Sequence, residues 1–582
     1  MVVSLVCYSR VMFAYRGRLF AILMQPWFPP VLAGIVFHLP VLFCAFVYDD
    51  VSLVAEHPRL GSASFLGEIW QRDYGQEFVG ENRGFYRPVF MTLLMALRML
   101  FGTGPLFFHL FSLAVFCLAI YLVVRVAAAC ESRRTGILPL AAGVLYAVHP
   151  ARVETVSLVM SLPDLLVECG ALGMILLLLK AVRGTCAGVP VAGTARAQRR
   201  GYAAVAWCGA LAMLAALCKE SAFFVVPALL GTAAWFAMRA GVAERKRVLS
   251  AAGLSLMALA VVFLLRNAAH VQPPVPVAGT IRALLTGGRA EDSLLTLLLA
   301  LRDVVIPGPV VFWRNVTATH LPGAAVVLVA LGVVIVGGWL VALRRRNLAL
   351  ALLVAWCGAN AANLVLLAGA GYVYSQRYLA FAPVAILLCL AIGVAVNAAA
   401  DRWPLGSGSS PRYGRLLVLG ASAYLTALGA FSLAGSSVCL TPKSFFLAMQ
   451  RANPADVVPL GAVAEMLNRE WAQAEEVEQC IRAATALDRT HPQVPRLQNM
   501  LIQRYLADGR FADALRCADW SLGIYTNDAD KIVLRATALA NLGRPDVARQ
   551  EVGRVLARDP RHAAARQLME QIVQRQEKVM GQ

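Results

Sequence analysis

The chain has 582 residues, of which 59% are hydrophobic and only 15% charged, and its formal net charge is +19. Soluble proteins of this size carry about 25% charged residues, so the composition excludes an ordinary soluble protein. The apolar excess falls in runs of about 18 residues or more, the length that crosses a bilayer as a helix. From about residue 443 frequent charges replace these runs. We therefore expect an all-α membrane domain followed by a water-soluble tail.

Eleven apolar segments are predicted to cross the membrane, and the third of them is the shortest. An odd number of crossings places the two chain ends on opposite sides. The predicted spans are 28–47, 106–129, 137–149, 162–182, 201–218, 221–241, 248–267, 323–343, 348–369, 378–398 and 415–437.

Positive charge accumulates in every second connection between these spans. The basic clusters are Arg10/Arg16/Arg18, Arg133/Arg134, Arg196/Arg199/Arg200, Arg245/Lys246/Arg247, Arg344/Arg345/Arg346 and Arg402/Arg412/Arg415. Short loops rich in Lys and Arg stay in the cytoplasm. We therefore expect residues 1–27 to be cytoplasmic, and the loops 48–105 and 268–322 and the tail to be extracytoplasmic. This topology accounts for much of the positive charge, so no nucleic-acid partner is expected.

The extracytoplasmic side is the periplasm in a bacterium, with the chain in the inner membrane, or the ER lumen in a eukaryote, with the chain in the ER membrane. In the first outer loop, Phe65, Leu66, Ile69 and Trp70 share one helical face within residues 56–73. This pattern predicts an interfacial amphipathic helix that lies on the bilayer.

The tail, residues 443–582, carries a repeat of 34 positions. Gly509 and Gly543 begin the similar stretches 509–523 and 543–557. This is the tetratricopeptide period, and it predicts an α-solenoid whose concave surface binds a protein or peptide. A helical bundle without a ligand is the structural alternative.

Ionisable residues collect at the predicted outer ends of the spans. Ionisable residues near membrane segments are costly and often mark function. They are Asp49 and Asp50 after the first span, His149, Glu154 and Asp164 around the third connection, Lys219 and Glu220 in a short turn, and Arg377 and Tyr378 at the tenth span. Singly, these are also explained as a solvated acidic pair, a helix stop at Pro150, a turn pair and a headgroup anchor. Jointly, they predict a lipid-phosphate site in which cations bind the phosphate and a carboxylate accepts a proton.

The order of short motifs resembles that of a known family. The motifs are the acidic pair, "HPRL…FLGEIWQRDYG", "FYRPVF", "AVHPARVETVSLVMSLPDLL", "CKESAFFVVP" and "SQRYLAFAPV". The chain resembles the transmembrane O-mannosyltransferases that carry tetratricopeptide repeats, and more broadly the GT-C glycosyltransferases. The resemblance runs from about residue 28 to residue 400 and includes the tail.

This resemblance implies a polyprenyl-phosphate-linked sugar as donor and an outer-face active site. It implies that Asp49 or Asp50 is the catalytic base, and that Arg87, Lys219, Glu220, Arg377 and Tyr378 lie by the donor phosphate. His149, Glu154 and Asp164 are then expected to line the same cavity.

The chain departs from the family pattern at two places. Ser161-Leu162-Pro163 stands where members commonly have Gly-Arg-Ala or Gly-Arg-Ser, and Gln376 stands where they often have Glu. The first departure removes an arginine from the expected donor contact. Two adjacent carboxylates are able to bind a divalent cation, but nothing in the sequence specifies a metal.

Three functions remain open at this point. The first is a glycosyltransferase that moves mannose or another hexose to a hydroxyl acceptor, favoured on protein. The second is a non-catalytic membrane scaffold whose repeats recruit partners. The third is a transporter, although transporters place their charges near the bilayer midplane in repeated halves, and no repeated halves are seen here.

Overall fold

A computed structural model describes the chain with several gaps. The described ranges are 25–74, 84–131, 136–183, 195–271, 277–285, 289–306, 308, 310, 312, 323–370, 374–402, 410–454, 456–470 and 473–580. The predicted cytoplasmic residues 1–24, with Arg10, Arg16 and Arg18, and the predicted cluster Arg133/Arg134 lie outside these ranges. The chain divides into two compact units, Met1–Thr441 and Pro442–Gln582.

The first unit is built from helices, and its described residues contain no β-strand. Its helices are α1 Phe28–His38, α2 Leu66–Ile69, α3 Pro88–Phe101, α4 Pro105–Cys130, α5 Ile137–Val148, α6 Val153–Ser157, α7 Leu162–Arg183, α8 Ala195–Cys218, α9 Ala222–Ala237, α10 Val242–Ala268, α11 Val277–Leu285, α12 Ala290–Val305, α13 Ala324–Arg344, α14 Leu348–Gly369, α15 Phe381–Arg402 and α16 Ser410–Val438. The prediction of an all-α chain is confirmed.

Six segments among the described residues are long and apolar enough to cross a membrane. They are Pro105–Cys130, Val159–Val182, Val242–Ala268, Ala324–Arg344, Leu348–Gly369 and Val418–Val438. The other five predicted spans coincide with shorter apolar helices, namely Phe28–Phe43, Ile137–Val148, Tyr202–Cys218, Ala222–Ala237 and Phe381–Val396. These findings support a membrane protein, while the count of eleven crossings stays a prediction.

A fully buried connection joins α5 to α7. Pro150 disfavours a helical conformation at the residue before it, and His149 is extended, with φ −77° and ψ 130°. Three short helical turns follow, Pro150–Arg152, Val153–Ser157 and Val159–Ser161, and every residue in them is buried. This connection packs against α4 and α16 and provides backbone groups to the site described below.

The amphipathic helix predicted in the first outer loop is wrong in its length. The structure has only a 3-10 turn, Ala63–Phe65, and the four-residue helix α2. Phe65 and Ile69 are buried in the protein core, whereas Leu66 is 40% exposed. Because α2 packs on α3, part of its apolar surface contacts protein, and its position on the bilayer stays a prediction.

The second unit is a succession of helices, each packed on the next. They are α17 Pro442–Ala452, α18 Val457–Arg469, α19 Ala474–Leu487, α20 Gln493–Ala507, α21 Phe511–Ile524, α22 Ala529–Asn541, α23 Pro545–Arg558 and α24 Ala563–Met580. Gly509 and Gly543 follow α20 and α22 with φ of 71° and 76°, a left-handed conformation that glycine adopts without strain. The 34-residue spacing thus places the same turn after two alternate helices, one helix pair apart.

Candidate functional site

Asp50 is anchored on the buried connection between α5 and α7. The backbone N–H groups of Val159 and Met160 each donate to a different oxygen of its carboxylate, both at 2.8 Å. The side chain is fully buried, and this burial raises the pKa of Asp50 to about 7. Its neighbour Asp49 is only partly buried. The two predicted catalytic carboxylates therefore have different surroundings.

Lys219 and Glu220 lie in the turn between α8 and α9, and each forms an ion pair. Lys219 Nζ lies 2.5 Å from Asp164 Oδ1, on the first turn of α7. Both oxygens of Glu220 accept from Arg87, which directly precedes α3: the Arg87 Nη2 to Glu220 Oε2 distance is 2.8 Å and the Nε to Oε1 distance is 3.2 Å. Such a bidentate pair fixes the guanidinium plane as well as its position.

Burial affects these two cations differently. It lowers the pKa of Lys219 to about 8, and the charge of Asp164 only partly offsets this effect. Burial alone would also lower the pKa of Arg87, but the adjacent Glu220 charge reverses the effect and holds that pKa above its usual value. Lys219 is therefore the cation that loses its charge first as the pH rises.

Arg377 is held by Glu154, a carboxylate on α6. The backbone N–H of Arg377 donates to Glu154 Oε2 at 2.9 Å, and its Nε lies 3.6 Å from Glu154 Oε1. Ser375 donates to Glu154 as well, at 2.6 Å, and Arg377 Nη1 donates to Ser161 Oγ at 3.2 Å. Burial raises the pKa of Glu154 to about 7.

These ion pairs meet in one cluster. Lys219 lies in the electrostatic field of both Arg87 and Arg377, and Arg377 also acts on Asp50. The Lys219 ammonium lies 5.2 Å from the centre of the Tyr378 ring. The structure thus brings together nine of the ten residues that the sequence singled out, which are Asp49, Asp50, Arg87, Glu154, Asp164, Lys219, Glu220, Arg377 and Tyr378.

His149 is the residue that the structure does not bring into this cluster. Its Nε2 lies 3.2 Å from the carbonyl oxygen of Val304, and its Nδ1 accepts from the backbone N–H of Ala151. Both ring nitrogens are used by the backbone, so His149 stabilises the fold and makes no contact with the ion pairs.

Sequence reasoning missed a buried ion pair between Arg152 and Glu168. Arg152 Nη1 donates to Glu168 Oε2 at 3.0 Å, and the two side chains are only 1% and 4% exposed. Glu168 also accepts from Tyr146 and from the backbone N–H of Ala382. A signal was present, because Glu168 is four residues after Asp164 in an apolar run, and residues i and i+4 share one helix face.

Sequence reasoning also missed the aromatic support of Arg87. Its guanidinium carbon lies 5.3 Å from the centre of the Tyr74 ring and 4.6 Å from that of Phe85. Burial raises the pKa of Tyr74 to about 12, and the fields of Arg87, Asp49, Glu220 and Arg377 all act on it. Tyr74 therefore belongs to the cluster; it lies in the motif "FLGEIWQRDYG", but the sequence analysis gave it no role.

A small cleft adjoins the cluster on the side of Arg87. Its cavity volume is about 10 Å³, and it is lined by Phe65, Glu68, Ile69, Arg72, Asp73, Tyr74, Arg87 and Met91. Within the described part of the chain, no three His, Cys, Asp or Glu side chains are arranged to hold a metal ion.

The chain is similar over part of its length to three named proteins. Protein O-mannosyl-transferase Tmtc1 of Drosophila melanogaster is 33% identical over 132 residues, which is 22% of this chain and 15% of the relative. Protein O-mannosyl-transferase Tmtc2 of the same species is 32% identical over 225 residues, covering 37% of this chain and 22% of the relative. Protein O-mannosyl-transferase TMTC3 of Mus musculus is 28% identical over 127 residues, covering 22% and 14%.

The resemblance stated from the sequence motifs is confirmed by these relatives, over segments that span less than a quarter of each relative's length. No protein-family model matches the chain. Among solved structures, the archaeal oligosaccharyltransferase AglB from Archaeoglobus fulgidus, in complex with an inhibitory peptide and a dolichol-phosphate, matches with a TM-score of 0.38. The match is 17% identical and covers 70% of this chain and 56% of that chain. A TM-score this low carries no argument about fold or function.

Proposed function

We propose that this chain is a membrane glycosyltransferase of the GT-C type that uses a polyprenyl-phosphate-linked sugar and works at the extracytoplasmic face. The observation that carries the proposal is the meeting of three cations, Arg87, Lys219 and Arg377, beside the acidic pair. Buried charges are retained only where they are paired. A membrane anchor has no need of such a cluster, which counts against a non-catalytic scaffold.

The end points of two predicted spans support one shared face. The backbone N–H of Ala45, after the first apolar segment, donates to the carbonyl oxygen of Cys439, after the last one, at 3.2 Å. When the C-terminal ends of two spans meet, the chain crosses the membrane an even number of times between those two ends. This agrees with the predicted eleven spans, in which the first and the last both run outward.

The donor phosphate is proposed to bind between the three cations. Each cation already has a carboxylate partner, namely Glu220, Asp164 or Glu154. These partners hold the cations in place before the donor arrives, and a phosphate supplies further charge-assisted hydrogen bonds. Tyr378 flanks Lys219 and Arg377 through its ring. The cations would then stabilise the negative charge that develops on the departing lipid phosphate.

Asp49 is proposed as the base and Asp50 as its anchor. Both oxygens of Asp50 already accept backbone N–H groups and the side chain is buried, whereas Asp49 is partly exposed. The Asp49 carboxylate would take the proton of the acceptor hydroxyl, whose oxygen forms a bond to the anomeric carbon. The bond from that carbon to the phosphate oxygen breaks, and the lipid phosphate leaves with the electron pair.

The sugar and acceptor are proposed from the relatives. Because the similar proteins are named as protein O-mannosyl-transferases, mannose is the first sugar to test, with other hexoses next. The acceptor is proposed to be a hydroxyl on a protein that the second unit, as a tetratricopeptide-repeat domain, holds near the membrane.

The test measures sugar transfer from a labelled polyprenyl-phosphate mannose to a peptide acceptor by the purified full chain. Asp49→Asn is expected to lower turnover by roughly 100- to 10,000-fold, the range for loss of a general base, without changing the thermal midpoint. Glu244→Gln is the matched control, because Glu244 is a partly exposed carboxylate outside the cleft, paired with Arg247.

Two results decide the proposal. Full activity of Asp49→Asn would remove the base assignment. Transfer from a nucleotide sugar but not from any polyprenyl-phosphate sugar would remove the donor class.

A further inference from the structure

Two cysteines at the ends of the first and last apolar segments lie against each other. Cys44 follows the segment Phe28–Phe43 and Cys439 follows Val418–Val438. The two residues are 395 positions apart, yet both are buried, with 1% and 0% exposed. The other described cysteines of the first unit lie within helices α4, α7, α8, α14 and α15.

The contact is made by backbone and side chain alike. Ala45 N–H donates to the Cys439 carbonyl at 3.2 Å, and the Cys44 thiol lies 3.3 Å from the carbonyl oxygen of Ser436. The Cys439 thiol also lies within the electrostatic field of the Cys44 thiol. Disulfides need Cα atoms about 4.4–6.8 Å apart, and a backbone hydrogen bond between these two stretches holds them close.

We propose that Cys44 and Cys439, which are free thiols in this structure, form a disulfide when the chain matures. The proposal rests on the proposed orientation, in which both residues lie at the extracytoplasmic face, where disulfides form and persist. The bond would tie the last apolar segment to the stretch that leads into Tyr48 and the acidic pair. Tyr48 has a left-handed backbone, with φ of 55°, a conformation that surrounding structure must hold.

The oxidant is a disulfide-bearing thiol oxidase of that compartment. One cysteine thiolate attacks the oxidase disulfide and displaces a thiolate, and the second cysteine then attacks the mixed disulfide. The Cys44–Cys439 bond forms, the oxidase disulfide becomes two thiols, and it gains the two electrons and two protons that the cysteines lose. Because both thiols are buried after folding, the reaction takes place while the chain inserts.

The test is peptide mapping of the full chain, made in bacterial hosts with and without an active periplasmic thiol oxidase. Free thiols are blocked in denaturant before digestion without reductant. A linked Cys44–Cys439 peptide is expected from the first host, and blocked Cys44 and Cys439 are expected from the second. Recovery of both cysteines in the blocked form from the oxidase-containing host overturns the proposal.

Variants and an activity assay keep the result specific. Cys44→Ser and Cys439→Ser should each abolish the linked peptide, while Cys117→Ser, within α4, should retain it. The wild-type map decides the question even if a variant fails to fold. Sugar transfer is measured on the same preparation. Transfer without the linked peptide contradicts the disulfide proposal alone. The linked peptide without transfer contradicts the proposed function alone.

Discussion

The two units of this protein contain the same kind of ion pair, arginine with glutamate, in different surroundings. In the first unit, Arg152 and Glu168 are 1% and 4% exposed. In the second unit, Arg516 pairs with Glu478, and the arginine is 51% exposed while the glutamate is 10% exposed. Water already solvates the arginine of the second pair, whereas both members of the first pair must offset the cost of desolvation through their own contacts. The buried pairs therefore organise a site, and the exposed pairs only steady neighbouring helices.

The largest effect is expected from breaking the buried pair. Glu168→Ala leaves Arg152 buried without its counter-charge and removes the acceptor of Tyr146, so we expect a loss of about 3–5 kcal/mol in the free energy of unfolding. Arg516→Ala in the second unit is the matched change and should cost at most about 1 kcal/mol. Thermal unfolding of both variants in the same detergent measures the difference, and equal losses would erase the contrast between the units.

The next effect compares two buried lysines. Lys219 is paired with Asp164 inside the cluster, whereas Lys531 in the second unit pairs with Asp528 at 3.6 Å and donates to Pro495 O at 2.9 Å and to Asn499 Oδ1 at 2.6 Å. Lys219→Met should raise the donor KM by roughly 10- to 100-fold, since hydrogen bonds to charged groups contribute about 1.5–3 kcal/mol. Lys531→Met should lower stability and leave the donor KM unchanged. A normal donor KM in Lys219→Met would show that Lys219 does not bind the donor phosphate.

A pH profile sharpens the role of the cluster. The pKa of Glu154 and that of Asp50 are raised to about 7, so both carboxylates lose charge as the pH falls below about 7. The pKa of Lys219 is lowered to about 8, so this cation loses charge above about 8. We expect transfer to be greatest between about pH 7 and 8.

Lys219→Arg should move the alkaline limb of that profile to higher pH, because arginine keeps its charge, while the acidic limb stays in place.

The pH dependence of the free energy of unfolding tests the carboxylates independently. Raised carboxylate pKa values favour the folded state most at low pH, and this contribution is lost as the pH rises from about 4 to about 7. Asp50→Asn should flatten that slope, and an unchanged slope would show that Asp50 does not titrate in this range.

The smallest effect is expected at Asp303, which holds the segment before Arg377. Its Oδ2 accepts from Gln376 at 3.0 Å and from Tyr374 at 3.2 Å. Asp303→Asn should lower kcat by only a few-fold and leave the donor KM nearly unchanged, because a positioning residue acts through Arg377. The control variant is Arg302→Gln. The Arg302 side chain contacts Asp303 from a partly exposed position. A loss as large as that of Lys219→Met would place Asp303 in contact with substrate.

Much of the helical architecture was predictable from local pattern. The predicted spans coincide with helices because long apolar stretches leave the backbone no partner in lipid except itself. Glycines 34 positions apart likewise predicted two equivalent turns. The helix predicted around α2 was too long, and periodicity alone could not tell that Phe65 and Ile69 pack into the protein core while Leu66 stays exposed.

By itself the sequence determined which residue types stand at the helix ends, since hydrophobic length, the positions of charge and the order of motifs are properties of the chain. Only the tertiary structure decided which charges pair. It joined Arg87 to Glu220, Lys219 to Asp164 and Arg377 to Glu154, and left His149 to the backbone. The physical reason is that each ion pair joins residues from different elements, and at distances near 3 Å the pairing depends on how those elements pack, which no local pattern encodes.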